Sequence, residues 1–207
     1  MSIRPARQIL GTQRSEPLTR EGTTGFVSPR PCCLWFTGLS GAGKSTLAAL
    51  TAERLKRGGV AAVSLDGDVL RDGICKDLGF SAADRTENVR RTAHVAKLFV
   101  DSGSVAVVSL ISPYRRDREL ARRLFAEGDF FEIFVDTAIA ECERRDPKGL
   151  YARARAGKIP EFTGLTSPYE APLSPEIRLN GSSAADEFVE RILQHLQTAW
   201  VKASIAG

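Results

Sequence analysis

No stretch of this 207-residue chain approaches the run of about 20 apolar residues that crosses a bilayer as a helix, so no membrane-spanning helix is expected. The N-terminus also lacks the apolar centre of a secretory signal. Histidine is scarce, at two residues, and the four cysteines (Cys32, Cys33, Cys75 and Cys142) form no CxxC pair and have no histidine at metal-ligand spacing. A cysteine-based metal site is therefore not expected. Cys32 and Cys33 are sequence neighbours, which rarely bridge each other, so reduced thiols in a cytoplasmic protein are expected. An excess of one charge is missing too: 29 Lys and Arg stand against 25 Asp and Glu, a net of +4. That mild balance favours anionic partners of any kind; neither a nucleic acid nor a membrane is expected as partner.

What is present is the composition of one compact domain, with 43% hydrophobic and 26% charged residues in a length too short for two ordinary domains and a linker. Residues 1–30 carry Arg4, Arg7, Arg14, Arg20 and Arg30 with few acids, and a flexible, solvated arm is expected there. From residue 31 onward the pattern alternates. Cys33 to Thr37 is a short apolar run that suits a strand buried on both faces, and it leads through glycines into a helix from Lys44 to about Arg57, closed by Gly58-Gly59. Val60 to Leu65 reads as the second strand. Asp84 stands three residues before Glu87, a capping-box spacing, ahead of Val89, Ala93, Ala96 and Val100 on a helix of about four turns ending at Gly103. Val105 to Ile111 and Phe131 to Val135 read as strands, Tyr114 to Phe125 and Thr137 to Arg145 as helices. Residues 146–175 hold eight prolines and glycines, cannot form one regular element, and are expected to act as a lid. Ile177 to Leu179 and a helix striped by Phe188, Ile192, Leu196 and Trp200 close the chain. Strands alternating with helices predict a doubly wound three-layer α/β sandwich on a mostly parallel sheet of about five strands, spanning residues 31–203.

Gly38-Leu39-Ser40-Gly41-Ala42-Gly43-Lys44-Ser45 matches GxxxxGK[ST] between a predicted strand and a predicted helix. Glycines let such a loop turn its amides inward on a phosphate, and the helix behind it adds the positive end of its dipole. A triphosphate is expected between Gly38 and Thr46, with Lys44 on its β and γ phosphates and the Ser45 hydroxyl on magnesium. The motif alone fixes phosphate chemistry and leaves the acceptor open. A guanine-reading NKxD sequence is excluded, since the only asparagines, Asn88 and Asn180, are followed by valine and glycine.

Asp66 and Asp68 end the second strand, where the ligands of open parallel sheets sit. Asp68 is expected to orient or deprotonate an acceptor hydroxyl and Asp66 to hold the magnesium shell through water. Arg85 and Asn88, three residues apart on one helix face, make a clamp for an anionic acceptor. Phe80 and Phe162 lie in polar company, as aromatics that stack on a base do. Arg144, Arg145 and Lys148 at the lid hinge are placed to close positive charge over the transferring phosphoryl group. Another P-loop metabolite kinase, for a sugar acid or a nucleoside, and a regulatory subunit without turnover fit the loop as well.

The blocks WFTGLSGAGKST, LDGD, DLGFS, DRTENVRR, ISPYRRDR, FVDT, RDPKGLYARARAG, FTG and SPYEAP follow one another over about residues 31 to 200. In that order the sequence resembles the adenylylsulfate kinase family. The resemblance implies transfer from magnesium-ATP to the 3′-hydroxyl of adenosine 5′-phosphosulfate. It also implies that Arg71, Phe80, Arg85, Asn88, Ile111, Lys148 and Phe162 contact that acceptor. The serine of the ISPYR block, Ser112, is often labelled a phosphoserine in the family, which puts it among the catalytic and acceptor-binding residues. In-line transfer between two bound nucleotides itself needs only positioning and charge stabilisation. A homodimer, and association with an ATP sulfurylase, are further implications. The chain departs from the family's DGDN at Val69, which removes a polar group beside the carboxylate pair.

Overall fold

A computed structural model describes residues 29–180 and 183–206. The arm expected over residues 1–30 lies, except for its last two residues, outside the described part. Along the chain run β1 (Cys33–Thr37), α1 (Lys44–Arg57), β2 (Ala62–Asp66), α2 (Gly67–Asp72), α3 (Ala82–Asp101) and β3 (Val105–Ser109). They are followed by α4 (Arg115–Arg122), β4 (Phe130–Asp136), α5 (Ile139–Arg145), α6 (Leu150–Arg155), β5 (Ile177–Asn180) and α7 (Ala185–Ala206). The strands form one sheet in the order β2-β3-β1-β4-β5, with every neighbouring pair parallel.

Burial explains the strand sequences. The inner strands β1 and β3 are buried at every residue and read as unbroken apolar runs, whereas β5 at the sheet edge alternates buried and exposed. Leu34 and Phe36 face α1 and α7, meeting Leu47, Leu55, Ile192, Leu196 and Trp200. Cys33 and Trp35 face the other way and pack with Val89, Ala93 and Ala96 of α3 and Ala121 of α4. The apolar positions on each helix recur three or four residues apart, which gathers them into one stripe. The result is the doubly wound, three-layer sandwich expected, with all five strands parallel. All four cysteines are free and buried.

Several element bounds differ from the sequence reading, each for a local reason. Helix α3 is capped by Ser81, not Asp84: the Ser81 hydroxyl accepts from the Asp84 amide at 3.2 Å and donates to the Asp84 carboxylate at 2.7 Å. The N-cap thus sits one turn earlier, and α3 is 20 residues long. The Asp66-Gly67-Asp68 segment opens the six-residue helix α2. At Gly67 a Cβ would stand 2.6 Å from Leu110 Cδ2 and 3.2 Å from the Ser109 carbonyl, so a larger residue would have to displace the Leu110 side chain. Helix α4 covers less than the expected span, and the segment expected to act as a lid, residues 146–175, holds the short helix α6, where the Tyr151 and Ala152 amides donate to the Asp146 carboxylate.

Behind the sheet's carboxyl end, Arg118 is 3% exposed and uses all three donor groups. It donates to Glu132 at 2.6 Å, to the Ser112 carbonyl at 2.6 Å and to the Glu170 carbonyl at 2.7 Å. One side chain therefore joins α4, β4, the loop after β3 and the far end of the lid. Replacing it strands a buried carboxylate. Arg118→Ala lowers unfolding stability in urea by about 3 kcal/mol, the low end for a broken buried pair, since Arg122 remains 3.7 Å from Glu132.

Candidate active site

The strand order reverses beside β1, which has β3 on one side and β4 on the other, and the chain leaving β1 is the glycine loop. Open α/β sheets bind ligands at such a switch point. At Gly38 φ is 150° and a Cβ would lie 2.6 Å from the Val135 carbonyl, so only glycine lets the loop leave β1 against β4. Three loop carbonyls are anchored by side chains. Lys44 Nζ donates to the Leu39 carbonyl at 2.7 Å, the Tyr151 hydroxyl to Ser40 at 3.0 Å and the Thr137 hydroxyl to Ala42 at 2.9 Å. Gly43, in the left-handed region, precedes α1 without any side-chain cap, so the first amides of α1 have no side chain competing for them. Tyr151 and Thr137 were not singled out from sequence. Their partners lie 111 and 95 residues away, beyond any local signal.

Lys44 is 8% exposed. Burial drops its ammonium to about 8, while the Asp66 and Asp68 carboxylates act in the opposite direction. The Ser45 hydroxyl lies 3.2 Å from that of Ser109, the last residue of β3, which is paired in register with Asp66 of β2. Two hydroxyls and a carboxylate form a hard oxygen donor set that fits magnesium carried in on phosphates. Among the described residues no group of three His, Cys, Asp or Glu could hold a metal unaided. Ser109 is a further residue that sequence reading missed.

The Asp66 carboxylate accepts from the Asp68 amide at 3.0 Å and caps α2, while the Asp68 carboxylate pairs with Lys148 of the lid. Two predicted site residues thus meet across the cleft. Arg145 stands beside the glycine loop, its Nη1 4.0 Å from where a Gly43 Cβ would be. Arg144 is turned to solvent, and both guanidiniums bond Glu141, holding that carboxyl down at about 2.

On the acceptor side, Arg71 lies over the Phe80 ring at 4.4 Å and donates to the Gly79 carbonyl at 2.9 Å. Arg85 donates to the Phe80 carbonyl at 2.9 Å and, through its other arm, to the Glu161 carbonyl of the lid at 2.7 Å. Phe80 is 59% exposed, as a stacking ring would be. Asn88 is 4% exposed, and its amide nitrogen has no hydrogen-bond partner among the described residues. A buried donor three residues along α3 from Arg85 suits an anionic or polar ligand.

One expectation is corrected. Phe162 is not an exposed ring: it is 6% exposed and packs edge-on against Tyr151 at 4.8 Å, its polar sequence neighbours notwithstanding. Ser112 lies buried against the end of β1. It is 3% exposed, with its hydroxyl accepting from the Trp35 indole and donating to Thr37, each at 3.1 Å. Ile111, just before it, is half-buried, and its carbonyl accepts from the Thr37 hydroxyl at 2.8 Å.

A phosphate loop at the switch point of a parallel sheet, facing an acidic pair and a basic lid, defines a P-loop kinase. The family model for adenylylsulphate kinase matches residues 30–180. An adenylyl-sulfate kinase of Marinobacter nauticus is 50% identical over 181 residues, 87% of this chain and 91% of that protein. One from Escherichia coli is 50% identical over 183 residues, 88% of this chain and 91% of its own. The solved structure of the Mycobacterium tuberculosis APS kinase CysC in complex with AMPPNP and APS is similar at a TM-score of 0.79 and 51% identity, covering 82% of this chain and 99% of that one. The chain belongs to the adenylylsulphate kinase family.

Phosphates favour the charged form of Lys44, so triphosphate binding raises its pKa above the free value of about 8. Below that value Lys44 is already protonated; above it, binding takes up a proton and affinity falls as pH rises. Calorimetry at about pH 8.5 in buffers of differing ionisation enthalpy reads the uptake. In Lys44→Ala the uptake disappears.

Proposed function

We infer that this chain transfers the γ-phosphoryl group of ATP to the 3′-hydroxyl of adenosine 5′-phosphosulfate, giving ADP and the 3′-phosphorylated product. The carrying observation is that the glycine loop, the Asp66-Asp68 pair and the Arg71, Phe80, Arg85 and Asn88 cluster open on one end of one sheet. Family membership supports the same reading.

The loop amides and Lys44 bind the β and γ phosphates, with Arg145 beside them. Magnesium, when bound, neutralises charge shared by the β and γ oxygens; Ser45 and Asp66 would hold it. Arg71 and Arg85 offset the charge of the 5′-phosphosulfate, Asn88 donates its free amide, and the open face of Phe80 receives the purine. Phe162 reaches the acceptor only by leaving Tyr151 as the lid moves. Asp68 orients the 3′-hydroxyl and accepts its proton as the new O–P bond forms and the bond to the β-phosphate oxygen breaks. Its present partner Lys148 is drawn instead to the added phosphates, which frees the carboxylate. Transfer of this kind depends on positioning and charge stabilisation, so a serine nucleophile has no part in it.

A cytoplasmic setting is supported by four free thiols. A homodimer and an ATP sulfurylase partner rest on the family resemblance.

Turnover with adenosine 5′-phosphosulfate, set against a panel of hydroxyl acceptors in a coupled ADP assay, tests the assignment; equal rates on sugar or nucleoside acceptors would sink it. Asp68→Ala lowers kcat by about 10²- to 10⁴-fold with ATP affinity nearly kept. Arg85→Ala raises KM for the phosphosulfate about tenfold or more, the size of a charge-assisted bond, and leaves KM for ATP within about twofold.

A further inference from the structure

The last residue of β1, Thr37, is wholly buried and its hydroxyl makes three hydrogen bonds. It lies 2.8 Å from the Ile111 carbonyl, 3.1 Å from the Ser112 hydroxyl and 3.0 Å from the Tyr169 hydroxyl. The direction of each bond follows from donor chemistry. The Trp35 indole can only donate, so Ser112 accepts from it and sends its own proton to Thr37. The single Thr37 proton goes to the Ile111 carbonyl, which can only accept, so Tyr169 must donate to Thr37. Burial pushes the Tyr169 phenol up to about 12, and it keeps that proton at neutral pH. Tyr169 also stacks on Phe134, the strand neighbour of Thr37, with 5.9 Å between ring centroids.

Thr37 therefore touches three separate pieces of the cleft. The glycine loop begins at the next residue. Ile111 and Ser112 form the loop expected to hold the acceptor, and Tyr169 lies at the far end of the lid. We propose that the Thr37 hydroxyl, with Tyr169 donating to it, is a positioning group for phosphoryl transfer, fixing the separation of the triphosphate loop from the acceptor loop. The proposal rests on the reading that the Ile111 loop borders the acceptor. Reacting oxygens must approach to about 3–3.5 Å in line, and a displacement of about 1 Å costs about a hundredfold in rate. A hydroxyl on the residue that leads into the triphosphate loop, bonded to the acceptor loop, sets that distance without touching either substrate.

Thr37→Val keeps the shape, removes the hydroxyl and leaves the Ile111 carbonyl and two hydroxyls without their partner. Its kcat with ATP and adenosine 5′-phosphosulfate falls about tenfold or more while both KM values stay within about threefold. Thr37→Ser, which keeps the hydroxyl, restores kcat to within about threefold of wild type. Tyr169→Phe, which retains the ring against Phe134, lowers kcat about threefold or more with KM unchanged, and it decides the matter should the valine variant not fold. A hydroxyl that served only core stability would lower the melting temperature of Thr37→Val and leave kcat per folded molecule within twofold; that result, or a serine variant as slow as the valine, overturns the proposal. Wild-type protein without turnover on the phosphosulfate would sink the functional reading along with it, whereas active wild type and equally active valine and phenylalanine variants would sink the positioning role alone.

Discussion

Burying the Lys44 ammonium against one neutral carbonyl costs desolvation that no carboxylate in contact with it offsets among the described residues. The cation is nonetheless held at the mouth of a loop whose carbonyls are pinned by Tyr151 and Thr137. Such an arrangement is stable only because the sheet beneath it is not negotiable: β1 is buried at all five residues and bonded on both sides. The fold supplies the rigidity, and the loop keeps an unspent positive charge for a ligand that brings its own anions. Asp66 and Asp68 lie near enough to act on that charge without quenching it.

The lid is tied to this platform by side chains of different strength. Lys148 reaches Asp68 through an exposed ion pair, which solvent screens and which contributes little to stability. Arg85 reaches the Glu161 carbonyl from a largely buried position, and Tyr169 and Arg118 hold the distal end through buried hydrogen bonds. The Lys148 pair is the weakest of these ties, although the buried Tyr151 nearby is bonded to the Ser40 carbonyl.

How much of this was legible in the sequence depends on range. The inner strands announced themselves as unbroken apolar runs because both faces are covered, and the glycine loop did so because its backbone tolerates only certain residues at fixed spacing. The start of α3 was misplaced because Ser81 and Asp84 are both good caps and each bonds the other, so residue type alone does not choose between them. Helix α2 is too short to show a period. Phe162 looked exposed beside Glu161 and Thr163, yet its burial comes from Tyr151, which sequence spacing does not bring near it. For the site, the residues expected to bear charge were readable as types at intervals, and most of them converge. The residues that hold them there (Thr37, Ser109, Thr137, Tyr151 and Tyr169) act through hydrogen bonds that span long stretches of chain, and no local pattern encodes such pairs.

The four buried thiols give the molecule a set of internal clocks. Cys32 and Cys33 lie at the entrance to and the start of the central strand, while Cys142 lies under the glycine loop, its carbonyl 3.0 Å from where a Gly41 Cβ would stand, and Cys75 follows the helix that carries Asp68. A thiol-reactive dye added to the native protein labels each buried thiol only when the element covering it opens, α7 for Cys32 and the central sheet for Cys33. Site-resolved labelling rates would then separate opening of single elements from loss of the whole fold, using residues the chain already carries.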